Sequence, residues 1–313
     1  VVKRVLEMER VEGKVVAAPA MLSDAFEPAH RGRALAIFSM AIPVGSALGY
    51  LLGGLFGRAF GWRAAFFIVG IPGMWLAWTV GRLSDPTRGG SDPAAPAPPP
   101  PRLADYLELL RTRSYLLNCL AMTAMTFAVG GLAAWVPTYL VRVREMGLAE
   151  ANLVFGLLTL VSGLGGTMAG GWLGDRLLPR VPTAYFLVSG LGLALSVPCA
   201  AAVILLEARP WVLAGIFLAE VFIFLNTGPL NAIIADVSRS EVRATAYAVN
   251  IFVIHALGDA ISPTILGMVS DRVGLSAAFW IAPGALALAA LFCFWGMRTY
   301  AADAAAMRGG GSG

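Results

Sequence analysis

Residues 276–297 read SAAFWIAPGALALAALFCFWGM, with no charged side chain among them. A bilayer core needs about 20 consecutive apolar residues per helix, so this stretch is long enough to cross one. The same pattern recurs outward along the chain. Eight apolar runs, bounded by charges or Pro/Gly clusters, lie near 33–57, 63–82, 115–140, 152–173, 183–206, 211–236, 243–268 and 276–298. A ninth, poorer run near 11–26 carries Glu12 and Lys14. The opening, Val1 to Arg10, is charged and has no apolar core of the signal-peptide kind.

Composition agrees with a chain that lives in lipid. Of 313 residues, 58% are hydrophobic and 13% charged, and the mean hydropathy is +0.74. A soluble domain carries about 25% charged residues, so too few ionic groups are present to coat a water-facing surface. An ordinary soluble enzyme and a disordered chain are both excluded. Lys+Arg 23 against Asp+Glu 19 gives +4, scattered along the chain, which excludes a nucleic-acid surface. Lys3 and Lys14 are the only lysines; with abundant Ala and Gly this points to a bacterial source and hence an inner membrane. Cys119, Cys199 and Cys293 sit far apart in apolar runs and read as buried thiols. There is no paired-Cys or His-x-x-x-His metal spacing and no phosphate loop. The expectation is no metal, no cofactor and no enzyme, with energy drawn from an ion or substrate gradient.

One linker divides the chain. Residues 83–113 contain Asp92-Pro93-Ala94-Ala95-Pro96-Ala97-Pro98-Pro99-Pro100-Pro101, able to form polyproline II but no packed core. The expected organisation is 1–82, part of an N-terminal helix bundle; 83–113, a cytoplasmic linker; 114–300, a C-terminal six-helix bundle; and 301–313, a flexible tail. Loops on the linker's side of the membrane hold thirteen arginines against six on the other side. The positive-inside rule makes the linker side cytoplasmic.

The chain also repeats itself. Arg31-Gly32-Arg33-Ala34-Leu35-Ala36 recurs as Arg243-Ala244-Thr245-Ala246-Tyr247-Ala248. Gly61-Trp62-Arg63-Ala64-Ala65-Phe66-Phe67 recurs as Gly274-Leu275-Ser276-Ala277-Ala278-Phe279-Trp280. The two offsets agree within one residue, and both copies start on the same side. Such a parallel repeat, about an axis along the membrane normal, is one way secondary transporters are built.

These features, with Gly170-Gly171-Trp172-Leu173-Gly174-Asp175-Arg176, resemble the major facilitator superfamily. Three strings resemble its Spinster-type branch: Ala41 to Tyr50, Asn226 to Asn231, and Ile254 to Pro263. The resemblance covers about residues 17–298. It implies an all-α polytopic membrane protein with an incomplete major facilitator fold, its eight or nine spans corresponding to family helices 4–12. Helices one to three are then absent. Gly13-Lys14 stands where the family carries a Gly-Glu pair ahead of the proline matching Pro19. The implied activity is secondary active transport of a lipid-like or small organic solute by alternating access, coupled to protons. A non-transporting truncated remnant is the alternative. The partners expected are the solute, membrane lipids and protons, with no nucleic acid. Gly45-x-x-x-Gly49-x-x-x-Gly53-Gly54 resembles an antiporter signature, with Tyr50 where proline is usual; otherwise its spacing is that of a helix-dimer seam.

Three groups of residues are candidates for the chemistry. His255, Asp259 and Ser262 fall on one face of a regular helix. Ionisable groups at such depth are costly and normally face a bundle interior or a wet cavity. They read as a substrate contact or a protonatable pair, or else as a packing bond. Glu220, Thr227 and Asn231 also share one face by the 3.6-residue period, with Asn226 pointing elsewhere. Pro229 frees the carbonyl of Leu225, so a bend is expected beside them; the competing role is helix-to-helix glue. Asp175 and Arg176, with Arg31 and Arg243 at the openings of the repeated helices, are the gating candidates implied by the resemblance; a snorkelled interfacial pair is the alternative. Trp135 reads as an interfacial anchor and Pro137 as a family match.

Overall fold

The structure, a computed structural model, describes residues 41–80, 82, 109–239 and 242–309. The expected run near 11–26, Arg31 with its half of the repeat, and the proline-rich segment lie outside the described residues.

Two helices come first, α1 (Ala41–Phe60) and α2 (Trp62–Val80). After the linker follow α3 (Arg113–Arg142), α4 (Leu148–Leu177) and α5 (Ala184–Leu205). A 30-residue helix is about 45 Å long, so α3 and α4 outreach a hydrocarbon core of roughly 30 Å. The fourth span of this group is broken into α6 (Arg209–Phe224) and α7 (Thr227–Asp236). The fifth comprises α8 (Arg243–Ile254), a π-helical turn at His255–Asp259, and α9 (Ser262–Val273). A short α10 (Leu275–Ala278) leads into α11 (Ile281–Gly309). Among the described residues, six stretches are long and apolar enough to cross a membrane: Arg113–Arg142, Leu148–Leu177, Ala184–Leu205, Arg209–Asp236, Thr245–Val273 and Leu275–Met307. They coincide with the six runs expected after the linker.

In lipid every backbone polar group must be satisfied within the protein, which is why the runs are helices. Side chains then decide how the helices meet. α11 lies along α3 and α5, α6 lies between α4 and α5, and α1 packs on α4, while α2 packs chiefly on α1. Two apolar clusters fill the bundle. One gathers Tyr115, Phe186, Leu230 and Tyr300; the other gathers Tyr139, Phe155, Val212 and Phe279. Tyr139 stacks on Phe279 with ring centroids 4.5 Å apart. Cys119 and Cys293 are buried and Cys199 partly so, all as free thiols.

Small residues set the closest approaches. A Cβ at Gly166 would come within 2.5 Å of the Val221 carbonyl oxygen, and one at Gly170 would collide with that of Leu225. At Gly174 it would meet the Tyr185 ring at 3.0 Å. The Gly166–Gly170–Gly174 stripe therefore lets α4 lie directly on α6 and α7 where they part.

The repeat shows in the main chain as well as in the letters. Gly61 and Gly274, equivalent by the offset, have φ of 81° and 87° and are the positive-φ glycines among the described residues. Each ends one helix and opens the next. This conformation is open to glycine at no steric cost, so both copies turn the same way for the same local reason.

Candidate functional site

Inside the six-helix bundle lies a cavity of about 150 Å³, walled mainly by aliphatic and aromatic side chains of α3, α4, α5 and α6. Val129, Leu132 and Val136 lie along one face of α3, and Phe155, Ile216 and Phe279 contribute further apolar surface. Among the described lining residues, Glu220 of α6 is the only one with a carboxyl, amino, guanidinium or imidazole group. Thr159 Oγ1 donates to its Oε1 at 2.8 Å, and Ser162 Oγ lies 2.8 Å from its Oε2. Thr159 and Ser162 are three apart on α4, and so present both hydroxyls on one face.

Ser162 Oγ also lies 2.6 Å from the Leu158 carbonyl oxygen and 3.4 Å from that of Thr159. A hydroxyl has one proton to donate, so Ser162 shares it between the Glu220 carboxyl and the main chain of its own helix.

The polar stripe expected to follow Glu220 does not continue into the cavity. The helix breaks at Leu225–Asn226, as Pro229 requires, since it cannot pair with the Leu225 carbonyl. That break rotates α7 out of the projected period. Asn226 is buried at the break and donates through Nδ2 to the Ile223 carbonyl. Thr227 opens α7, and its carbonyl accepts from Asn231 Nδ2 at 2.7 Å. The Asn231 carbonyl in turn accepts from Tyr247 of α8 at 2.8 Å. Neither Thr227 nor Asn231 lines the Glu220 cavity.

His255 and Asp259 do meet, with Nδ1 lying 3.0 and 2.8 Å from the two carboxylate oxygens. They form an exposed pair, their side chains 58% and 36% accessible. Gly130 and Gly258 allow the π turn to press against α3, where a Cβ at Gly130 would collide with Asp259 and one at Gly258 would meet Thr126 at 3.1 Å. Ser262, expected on the same face, is instead fully buried against α3. A π turn holds one residue more than an α turn, which shifts the following face by roughly 100°. Glu220 lies on the cavity wall, whereas the His255–Asp259 pair packs on α3 at Gly130 and is not among the residues lining that cavity.

At the linker side, Asp175 accepts from the Tyr185 hydroxyl at 3.0 Å, and the Arg176 guanidinium lies over the Trp172 ring at 5.2 Å from its centroid. Both Asp175 and Arg176 are exposed. Arg243 opens α8, its Nε buried without a hydrogen-bond partner among the described residues. Arg31 lies outside the described residues. Nearby, Tyr300 donates to Asp236, and Asp303 accepts from the Ser114 backbone N–H at 2.9 Å, capping the start of α3.

Sequence reading did not find Thr159, Ser162 or Tyr50 as site residues. Two hydroxyls three apart in an otherwise apolar run are a faint signal, and the carboxylate they meet is about 60 residues further along. Trp135 makes a tertiary contact: its Nε1 donates to the Pro263 carbonyl at 2.9 Å and so ties α3 to α9.

Comparison with known proteins adds to this geometry. The Major Facilitator Superfamily profile matches residues 15–263. The chain is 34% identical over 272 residues to protein spinster homolog 3 of Danio rerio, covering 82% of this chain and 55% of that protein. It is 34% identical over 266 residues to protein spinster of Drosophila melanogaster, covering 82% of this chain and 44% of that protein. The chain thus spans about half the length of the curated relatives it matches. Among solved structures, a bacterial homologue of the human lysosomal transporter Spinster, inward-facing and occupied, superposes with TM-score 0.68 at 21% identity over 91% of this chain and 74% of that one. The E. coli fucose:proton symporter superposes with TM-score 0.53 at 18% identity over 76% of this chain and 55% of that one. Both structures share the fold.

Proposed function

This chain belongs to the major facilitator superfamily, as a Spinster-like, multi-pass membrane protein, and from that membership we propose that it is a secondary active transporter of a lipid-like or small organic solute, working by alternating access and coupled to protons. The observation that carries the proposal is the Glu220 carboxyl, held by two hydroxyls on the wall of a cavity that is otherwise apolar. A wall of this kind suits a solute with an apolar body and a polar head, because apolar surface gains from leaving water while one carboxyl supplies orientation. In this reading the Glu220 carboxyl, beside Thr159 and Ser162, is where coupling acts.

Alternating access needs elements that move as units. Two interrupted helices, α6–α7 and α8–α9, are the kind of discontinuity that secondary transporters place at their binding sites. In this reading α1–α2 belong to the N-terminal bundle and rock against the bundle formed by α3–α11. The His255–Asp259 pair supplies a second polar contact, beside α3 at Gly130. Asn226, Thr227, Asn231 and Ser262 hold the interrupted helices in place around the two acidic sites. Asp175, Arg176, Arg31 and Arg243 are the gate on the cytoplasmic side of a bacterial inner membrane.

The test is uptake of labelled amphiphilic and small organic solutes into proteoliposomes, with and without an imposed pH gradient. Glu220→Gln keeps the shape and removes the titration. The expected outcome is at least a tenfold loss of gradient-driven accumulation, with exchange at equal pH retained. Accumulation equal to that of the parent would remove Glu220 as the coupling site. Asp259→Asn in the same assay measures the contribution of the second pair.

A further inference from the structure

Among the residues that line the Glu220 cavity, Tyr50 is alone in coming from α1; the others lie between Val129 and Pro283. Its hydroxyl donates to the carbonyl oxygen of Ala133 at 2.8 Å, across 83 residues of sequence. That carbonyl is not an ordinary one. In an α-helix it would accept from the residue four further on, which here is Pro137, inside α3 and without an N–H. Proline therefore leaves one main-chain acceptor open on the cavity side of α3, and the phenol fills it. The Tyr50 ring is held in place by an edge-on contact with Phe155 of α4, centroids 4.9 Å apart at 71°. Both contacts reach from α1 into the six-helix bundle, and Ala133 and Phe155 are themselves cavity wall.

We infer that Tyr50 is a removable section of that wall: docked on the carbonyl freed by Pro137 it closes the Glu220 cavity towards α1, and when α1 separates from α3 and α4 the opening it leaves is the way in for solute. This rests on reading the cavity as the solute chamber. The docking site is specific in chemistry, because it needs a donor at the tip of a ring long enough to cross the gap. It is also reversible, since the bond that holds the phenol on this wall is a neutral one, worth about 1 kcal/mol.

The experiment measures access to the cavity and not transport. The full chain, with Cys119, Cys199 and Cys293 replaced by Ala and with Ala219→Cys on the cavity wall, is reconstituted in liposomes and labelled with N-ethylmaleimide. Tyr50→Phe keeps the ring and deletes the donor. It is expected to raise the labelling rate about fivefold, the net worth of one such hydrogen bond. Pro137→Ala returns an N–H that can pair with the Ala133 carbonyl, and is expected to speed labelling to a similar extent. Because the two substitutions break the same bond, the double variant should label no faster than either single one. Labelling of Tyr50→Phe at the parental rate, or full additivity of the two changes, overturns the inference. Failure of Glu220→Gln to impair proton coupling would leave this result standing, so the two readings fail separately.

Discussion

The two copies of the internal repeat are turned alike and packed differently. Gly61 and Gly274 adopt the same positive φ, and each separates a long helix from the one that follows. Five residues on, the aromatic of the first copy, Phe66, is 73% exposed, while its counterpart Phe279 is 2% exposed and stacked on Tyr139. The glycine stripes diverge in the same way. Gly166, Gly170 and Gly174 on α4 each face main chain or a ring at close range, whereas Gly45, Gly49 and Gly53 on α1 have nothing within 4 Å of a built Cβ among the described residues. Turn geometry is a matter of a few adjacent residues. Burial is a matter of which helices are present around them.

The contrast can be broken most directly at the aromatic pair. Phe279→Ala should cost about 3–5 kcal/mol, the usual loss for emptying a packed aromatic site, whereas Phe66→Ala should stay within about 0.5 kcal/mol. Thermal unfolding in detergent, followed by tryptophan fluorescence, reads both, and equal losses would remove the packing difference. The stripes come next. Gly170→Ala drives a methyl into the Leu225 carbonyl and should cost about 3 kcal/mol; Gly49→Ala should be neutral or gain up to about 1 kcal/mol from helix propensity. A destabilised Gly49→Ala would mean that α1 is as tightly seated as α4. The smallest effect is expected at the shared turns. Gly61→Ala and Gly274→Ala should each cost about 1–2 kcal/mol, because both positions hold a positive φ that side chains rarely adopt. A large inequality between them would show that the turn depends on its surroundings.

Much of the architecture was legible in the residue string. The six runs after the linker, the kinship of the two copies and the break ahead of Pro229 all follow from local properties: hydropathy, spacing and a missing N–H. The candidate site was legible only in part. Glu220 stood out as a lone acid in an apolar run, but its hydroxyl partners could not be assigned, because Thr159 and Ser162 become its neighbours only through the close approach that the α4 glycines permit. The face shared by His255, Asp259 and Ser262 was projected along a regular helix. One extra residue in the π turn is enough to bury Ser262 while leaving the pair exposed. A period of 3.6 says nothing about where the helix departs from it.

By itself the sequence determined that this protein spans a membrane as helices, roughly where the six after the linker lie, and that a few acids and amides fall inside apolar runs. Only the tertiary structure decided which of these meet: the carboxyl of Glu220 with two hydroxyls from α4, the phenol of Tyr50 with a carbonyl laid bare by Pro137, and the imidazole of His255 with Asp259 beside Gly130 of α3. The division has one cause. Lipid forces each segment to satisfy its own main chain, so hydropathy alone is enough to locate a helix. The meeting of side chains across helices depends on rotations of tens of degrees and approaches of a few ångströms, which glycine, proline and one irregular turn adjust without altering the hydropathy at all.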